Sequence, residues 1–171
     1  MPIVFASLNQ GKYDEMQSLF ASENIEIVSM KAFDLVSPEE TGLSFLENAL
    51  IKARHAAQKL DCPVIADDSG LVVPALGGDP GVYSSRYAGD QASDKQNIDA
   101  LLTALSGETN RFAYFVCVLV FLRSANDPVP LVAQGIWEGS IATEPSGTHG
   151  FGYDPVFDVS DHQCSAAALT A

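Results

Sequence analysis

The sequence has 171 residues, of which 22 are acidic and nine are basic, so that its formal net charge at pH 7 is −13. Apolar residues make up 47% of the chain, which is enough to bury the core of one domain and argues against a disordered protein. The negative charge excludes a general nucleic-acid binder and a binder of anionic membranes, because both need a net basic surface.

The cysteines and the apolar segments indicate a cytoplasmic protein. Cys62, Cys117 and Cys164 are far apart and form no Cys-x-x-Cys pair, which suits a reducing compartment better than a disulfide framework or a zinc site. The first residues lack the basic segment of a signal peptide. The longest apolar run, 112–122, is shorter than the roughly 20 residues that a membrane helix needs.

The first third of the chain predicts alternating strands and helices. An apolar strand at 3–6 leads through a polar turn into a helix that ends near Phe20, with Met16, Leu19 and Phe20 on one face. A second strand is expected at 25–30, followed by a loop at 33–42.

A longer helix is predicted from Ser44 to about Leu60. Ser44 and Glu47 have the spacing of a capping box, which marks the start of the helix. Asn48 and Lys52 lie one turn apart on a polar face, whose default interpretation is contact with solvent. The apolar stripe of this helix consists of Leu46, Ala49, Leu50, Ala53, Ala57 and Leu60.

The rest of the chain predicts further strands, one helix and two long loops. We expect strands at 63–66, 112–122, 131–137 and 156–157, and a helix at 93–105. The segments 74–90 and 143–155 are rich in Gly and Pro, and long loops in compact domains are often functional. The alternation predicts an α/β domain with a mixed sheet.

The turn at 7–12 is a candidate phosphate site. It joins a strand to a helix, where free N–H groups attract anions, and Gly11 lets a ligand approach the backbone. Lys12 adds a positive charge, although Tyr13 stands where a Walker A loop has Ser or Thr. An ordinary turn is the alternative interpretation.

Two carboxylate pairs are candidates for metal binding and proton transfer. Asp67 and Asp68 follow an apolar strand, where carboxylates can hold Mg²⁺ or deprotonate a water. Neighbouring residues of a strand point to opposite faces, so at most one of the two lines a given site. An Asx turn is the alternative for this pair, and a solvated loop is the alternative for Glu39 and Glu40.

The segment 151–154, Phe-Gly-Tyr-Asp, is a candidate nucleobase site. Aromatic rings can stack on a base, and Asp or backbone groups can read its edge. A packed loop anchored by the aromatic rings is the alternative. His55, His149 and His162 have no metal-ligand spacing.

Taken together, these segments resemble the inosine triphosphate pyrophosphatase-like family, which removes non-canonical purine nucleoside triphosphates. The resemblance covers the chain from about residue 3 onward, and the matching pieces occur in the family's order. They are Ser7-Leu8-Asn9-Gln10-Gly11-Lys12, Glu39-Glu40-Thr41-Gly42, Glu47-Asn48-Ala49, Lys52-Ala53, Ala66-Asp67-Asp68-Ser69-Gly70-Leu71, Pro80 to Tyr87, Phe115 to Leu119 and Gly150-Phe151-Gly152-Tyr153-Asp154-Pro155.

The resemblance implies a Mg²⁺-dependent hydrolase that converts ITP, dITP or XTP into the monophosphate and pyrophosphate. It implies that Asp68 is the general base and that Glu40 and Asp68 hold Mg²⁺. It assigns the phosphates to Ser7, Asn9, Lys12 and Lys52. It assigns the rest of the nucleotide to Ser69, Phe151, Gly152, Tyr153 and Asp154.

The resemblance also implies the architecture. Relatives have a long mixed β-sheet, two α/β lobes flanking a central cleft, and usually a homodimer, so we expect residues 1–171 to form a single such domain. Relatives continue into a helical tail with a lysine and a Ser-His-Arg motif, which this sequence lacks. The alternative function is therefore a non-catalytic nucleotide-binding or interaction module.

Two other hydrolase families fit the sequence less well. A septum-type nucleotide pyrophosphatase acting on modified pyrimidines is disfavoured because the segment 151–154 resembles the purine enzymes. A dehalogenase-type phosphatase is disfavoured because Asp67 and Asp68 are adjacent and lack the Asp-x-Asp spacing of that chemistry.

Overall fold

The computed structural model of the chain describes residues 2–169. Within that range the helices are Gln10–Ser22 (α1), Phe45–Leu60 (α2) and Asp94–Ala104 (α3). The strands are Ile3–Phe5 (β1), Ile27–Ser29 (β2), Val64–Val72 (β3), Phe112–Leu122 (β4), Leu131–Ile141 (β5), Phe157–Val159 (β6) and Cys164–Ser165 (β7).

The strands form one mixed sheet in the order β2-β1-β3-β4-β5-β6-β7. β1 runs parallel to both β2 and β3, whereas β6 is antiparallel to β5 and β7. The predicted α/β class and mixed sheet are confirmed. No helix among the described residues is both long and apolar enough to span a membrane.

The chain divides into two compact units. Unit 1 comprises the chain up to Asp68 together with Cys117–Gln134, and unit 2 comprises Ser69–Val116 together with the chain from Gly135 onward.

In unit 1 the two helices lie on opposite faces of the parallel strands. The chain passes from β1 to β2 on one side of β1 and then from β2 to β3 on its other side. Because both crossovers are right-handed by the general rule for parallel strands, α1 and α2 cover different faces. The core agrees, since Ile65 packs in the same cluster as Tyr13, Met16 and Phe20 of α1.

The start of each unit 1 helix is fixed by a polar cap. Asn9 Oδ1 accepts a hydrogen bond from Lys12 N at the start of α1, and Ser44 Oγ accepts one from Glu47 N at the start of α2. The Glu47 carboxylate reaches back to Leu43 N at 2.9 Å, so it binds the amide one residue before the cap. The predicted N-terminus of α2 is therefore confirmed.

The apolar stripe of α2 is made of small residues. Ala49, Ala53, Ala56 and Ala57 are almost completely buried. Their short side chains let the helix axis approach its neighbours closely. Leu46 at the start of the predicted stripe is instead exposed, as is Leu19 on α1.

Unit 2 has its own core around Phe157. The Phe157 ring lies 4.6 Å from the ring of Phe115 and 5.3 Å from that of Trp137, measured between centroids. Leu101 and Leu105 at the end of α3 are fully buried in the same cluster.

Two predictions about local structure are wrong. β2 covers only Ile27–Ser29, shorter than expected. Asp67 and Asp68 lie inside β3, which continues to Val72, so the Asx-turn alternative is excluded. Cys117 in β4 is exposed.

We expect Gly139→Ala to destabilise the fold and Gly135→Ala to leave it unchanged. A Cβ atom at Gly139 would lie 2.7 Å from Phe157 Cζ and would also collide with the Asp158 carbonyl, whereas a Cβ at Gly135 would meet no atom within 4 Å. Overpacking of this kind costs about 1–3 kcal/mol. Both glycines lie on β5, so urea unfolding of the two variants gives a matched comparison, and equal stabilities would contradict the assigned packing.

Candidate active site

The carboxylates of β3 define the candidate site in unit 1. β3 pairs in parallel with β1, with Val4 opposite Val64 and Phe5 opposite Ile65. This register places the turn at the carboxyl end of β1 beside Asp67 and Asp68, which lie in the middle of β3. Open α/β sheets bind ligands at this edge, where the chain connections diverge to opposite faces.

Asp67 faces α1 and pairs with Lys12. The Lys12 ammonium lies 2.5 Å from Asp67 Oδ2, and the carboxylate is almost completely buried while the lysine is partly exposed. In the turn before the helix, Ser7 Oγ accepts a hydrogen bond from Asn9 N at 3.3 Å. The predicted phosphate residues Ser7, Asn9 and Lys12 therefore occupy one turn at the N-terminus of α1.

Asp68 faces α2 and pairs with Lys52. The Lys52 ammonium lies 3.0 Å from Asp68 Oδ1 and 2.7 Å from Glu40 Oε1. Only 8% of the Lys52 surface is exposed. The default interpretation of Lys52 as a solvated helix residue is therefore wrong. The ammonium instead joins the two residues that the resemblance assigns to Mg²⁺.

Burial and the charge of the ion-pair partner act in opposite directions on the pKa values of Asp68 and Lys52. Burial raises the pKa of the Asp68 carboxyl above its ordinary value, Glu40 adds to the rise, and Lys52 and the Asn48 amide oppose it. Burial alone would lower the pKa of Lys52, but Asp68 and Glu40 outweigh it and the net pKa is raised. Lys52 is therefore a firmly protonated ammonium.

The side chain of Asn48 connects α2 to the loop that carries Glu40. Asn48 is completely buried, and its Oδ1 accepts a hydrogen bond from Gly42 N at 2.8 Å. Asn48 Nδ2 and Asp68 Oδ2 are both buried without a hydrogen-bond partner. Buried polar atoms left unpaired in this way often mark a position for a ligand, ion or water.

The donor set at Asp68 fits a hard divalent cation. Glu40 and Asp68 supply carboxylate oxygens, and Asp68 Oδ2 is unpaired. Residues 2–169 hold no group of three or more His, Cys, Asp or Glu side chains arranged around one metal position. Mg²⁺ is usually bound through one or two carboxylates together with waters and substrate phosphates, and these two residues fit that pattern.

The predicted base-recognition segment lies in unit 2 and is held by hydrogen bonds. Gly152 N donates to Asp94 Oδ2 at 2.8 Å, and Phe151 N donates to Asp154 Oδ2 at 3.0 Å. The Tyr153 hydroxyl donates to the Ser84 carbonyl, and its ring is buried. Phe151 is 41% exposed, so it is the aromatic ring of this segment that is open to a ligand.

The carboxyl of Asp154 is shielded within this segment. Burial is the main cause that raises its pKa, the hydrogen bond from Phe151 N opposes the rise, and Asp94 adds to it. Ser69 is the first residue of unit 2, directly after Asp68 in β3, and is half-buried.

Sequence analysis named Asp67 only as one of two alternative candidates for metal binding or proton transfer, and it gave no site role to Asn48 or Asp94. The strand alternation at 67–68 was a usable signal for Asp67, since it already placed the two carboxylates on opposite faces. Asn48 binds the backbone of Gly42 in a loop, and Asp94 binds the backbone of Gly152 in a distant part of the sequence. No local sequence pattern encodes either contact.

Comparison with known proteins gives close relatives. A dITP/XTP pyrophosphatase of Vibrio parahaemolyticus is 52% identical over 169 residues, which are 98% of this chain and 84% of that protein. A dITP/XTP pyrophosphatase of Yersinia pseudotuberculosis is 53% identical over 170 residues, covering 98% of this chain and 86% of that protein.

Solved structures have the same fold. A HAM1 protein from Coxiella burnetii superposes with a TM-score of 0.93 at 48% identity, covering 99% of this chain and 87% of that one. The Staphylococcus aureus Ham1 protein gives a TM-score of 0.87 at 43% identity with the same coverage. The model of the Ham1 family matches residues 3–171, and this chain therefore belongs to the Ham1 family.

Proposed function

We propose that this chain is a Mg²⁺-dependent hydrolase that converts ITP, dITP and XTP into the monophosphate and pyrophosphate. The observation that carries the proposal is the pair of adjacent buried carboxylates on β3, each joined to a lysine of a different helix. The relatives named dITP/XTP pyrophosphatase support the choice of substrate.

The phosphates are bound at the turn before α1. The first N–H groups of this 13-residue helix have no partner within the helix and point toward the turn, where they attract anions. Ser7 and Asn9 supply polar side chains, and Lys12 supplies a partly exposed ammonium. Lys52 contributes a second cation from α2.

The charge of this cluster explains the need for a metal ion. Lys12 and Lys52 carry two positive charges against three negative charges on Glu40, Asp67 and Asp68, which leaves −1. A nucleoside triphosphate carries about four further negative charges. Glu40 and Asp68 would hold Mg²⁺, which supplies charge neutralisation and orients phosphate and water.

Asp68 acts as the general base. Its carboxylate takes a proton from the attacking water as the new oxygen–phosphorus bond forms at the α-phosphate. The bond from the α-phosphorus to the bridging oxygen breaks, and pyrophosphate leaves with the electron pair. Lys12 and Lys52 stabilise the charge that develops on the phosphate oxygens.

The segment 151–154 recognises the base. The exposed Phe151 ring stacks on the purine, while buried Tyr153 anchors the segment and the backbone of Gly152 and the side chains of Asp154 and Ser69 complete the polar contacts. A 6-keto purine accepts a hydrogen bond where adenine donates one, so a mismatched base leaves buried polar groups unpaired.

The alternative of a non-catalytic binding module is not favoured. The residues that the reaction needs, Lys12, Lys52 and Asp68, are present and arranged as charged pairs. These three side chains supply the general base and the two cations that the proposed reaction needs.

We expect the protein to release pyrophosphate from ITP, dITP and XTP with a kcat/KM at least about 100-fold above that for ATP, since adenine presents a donor where these bases present a 6-keto acceptor. Coupled detection of pyrophosphate with each nucleotide tests this. EDTA should abolish the release, and added Mg²⁺ should restore it.

Phe151→Ala tests the base-recognition segment in the same pyrophosphate-release assay. We expect it to raise KM for ITP and XTP while kcat at saturation changes less, because stacking binds the base and takes no part in proton transfer. Absence of turnover with ITP, dITP and XTP would overturn the proposed function.

We expect Asp68→Asn to lower kcat for ITP by about 10²- to 10⁴-fold, because the amide cannot accept the water proton. Lys12→Ala should also abolish most turnover. The control is Asp99→Asn, whose carboxylate pairs with Lys95 on the exposed surface of α3. Parental kcat in Asp68→Asn, measured on protein with an unchanged circular dichroism spectrum, would contradict the assignment.

We also propose that the protein is a cytoplasmic homodimer that uses β5. The side chains from Leu131 to Glu138 are all exposed, including Ile136 and Trp137. Strands with this much exposed apolar surface usually bind a partner. The cysteines are free thiols, at positions Cys62, Cys117 and Cys164, which suits the reducing cytoplasm. Cell fractionation checks the cytoplasmic location.

We expect light scattering to give the mass of a dimer and Ile136→Glu to give a monomer, because a charge in an apolar interface is costly. Leu19→Glu, at an exposed leucine on α1, is the control and should stay dimeric. A monomeric parent protein would refute this assembly.

A further inference from the structure

Asn48 holds the loop that carries Glu40. The amide oxygen of this completely buried residue accepts a hydrogen bond from Gly42 N at 2.8 Å, two residues after Glu40. The approach is close, since a Cβ atom at Gly42 would lie 2.7 Å from Asn48 Oδ1. The loop is therefore packed directly on the side chain and cannot shift without breaking this bond.

The other end of the same amide has no partner. Asn48 Nδ2 is a buried donor and Asp68 Oδ2 is a buried acceptor, each without a partner of standard hydrogen-bond geometry, and the Asn48 side chain lies close enough to Asp68 to act on its carboxyl. Asp68 Oδ1 is already bound by Lys52. Leaving both a donor and a carboxylate oxygen unpaired is costly, and a hydrogen bond between the two groups, direct or through a water, removes both costs.

We infer that Asn48 is a positioning residue for the proposed hydrolysis, on which this inference rests: its Oδ1 fixes the Glu40 loop and its Nδ2 orients the Asp68 carboxylate. Lys52 is shared by Glu40 and Asp68. When Lys52 turns to the substrate phosphates, Asp68 loses its ammonium partner. Nδ2 then holds the carboxylate in place.

A neutral donor suits this role better than a second cation. An ammonium stabilises the carboxylate charge and so weakens the base, whereas an amide fixes its orientation with a smaller effect on its charge. The position on α2 also fits, because Asn48 and Lys52 are one helical turn apart on the same buried face.

Two substitutions separate the two ends of the amide. Asn48→Asp keeps Oδ1 for Gly42 but removes the donor, and Asn48→Ala removes both. We expect kcat for ITP at saturation to fall about 10- to 100-fold in both variants. The Gly42 amide should stay protected from hydrogen exchange in Asn48→Asp and lose protection in Asn48→Ala, as followed by NMR.

Asn97→Asp is the matched control. Asn97 is also a buried helical asparagine that clamps a loop, with Oδ1 accepting from Ala88 N at 2.9 Å and Nδ2 donating to the Ser85 carbonyl at 3.1 Å. We expect this variant to melt at a lower temperature and to keep kcat within about threefold when assayed well below its melting temperature.

The outcomes distinguish the two levels of the proposal. If the parent protein releases pyrophosphate but Asn48→Asp keeps its kcat, the positioning role is wrong and the proposed function stands. If Asn48 and Asn97 variants lose kcat equally, Asn48 is merely structural. A parent protein without turnover overturns the proposed function and this inference with it. Should Asn48→Asp not fold, Asn48→Ala decides by the same kcat measurement.

Discussion

Two neighbouring carboxylates on β3 point to opposite faces of the strand, and each is buried against one lysine. A buried carboxylate without a counter-charge is too costly for a protein of ordinary stability. Each face of β3 must therefore receive a cation at the height of the carboxylate. The ion pairs of Lys12 in α1 and Lys52 in α2 restrain the rotation of both helices about their axes. The chain of unit 1 places one lysine on each face of β3, because α1 and α2 cross opposite faces of the sheet.

The small residues of α2 follow from the same constraint. Ala49, Ala53, Ala56 and Ala57 are buried, and a helix with so little side-chain volume packs close to its neighbours. At that distance the lysine at position 52 reaches Asp68 while its aliphatic stem stays buried. Larger apolar residues would fill the core better but would hold the helix farther away. The buried face of α2 therefore has less apolar surface and includes the ammonium of Lys52 and the amide of Asn48.

Much of the fold and part of the site could be predicted from the sequence. The alternating elements and the family motifs gave the α/β class, and the alternation within a strand separated Asp67 from Asp68. The failures concern the partners of charged residues. Lys52 was assigned to a solvated face because a charged side chain is seldom buried, and only the positions of Glu40 and Asp68, which lie on other elements, explain its burial. Tyr153 shows the same limit, since its hydroxyl is satisfied by the Ser84 carbonyl, 69 residues away.

The negative net charge of the chain affects how this site can bind an anionic ligand. A protein with a net charge of −13 repels a nucleoside triphosphate at long range, so attraction must be local. Lys12 and Lys52 pair with Glu40, Asp67 and Asp68, and in the proposed reaction they would exchange these carboxylates for the phosphates. In the proposed reaction, a nucleotide that brings a divalent cation would replace both sets of partners: its phosphates would take the ammonium groups, and the cation would take the released carboxylates. On this proposal, the excess of one carboxylate over the two lysines would favour the metal-bound nucleotide over the free one.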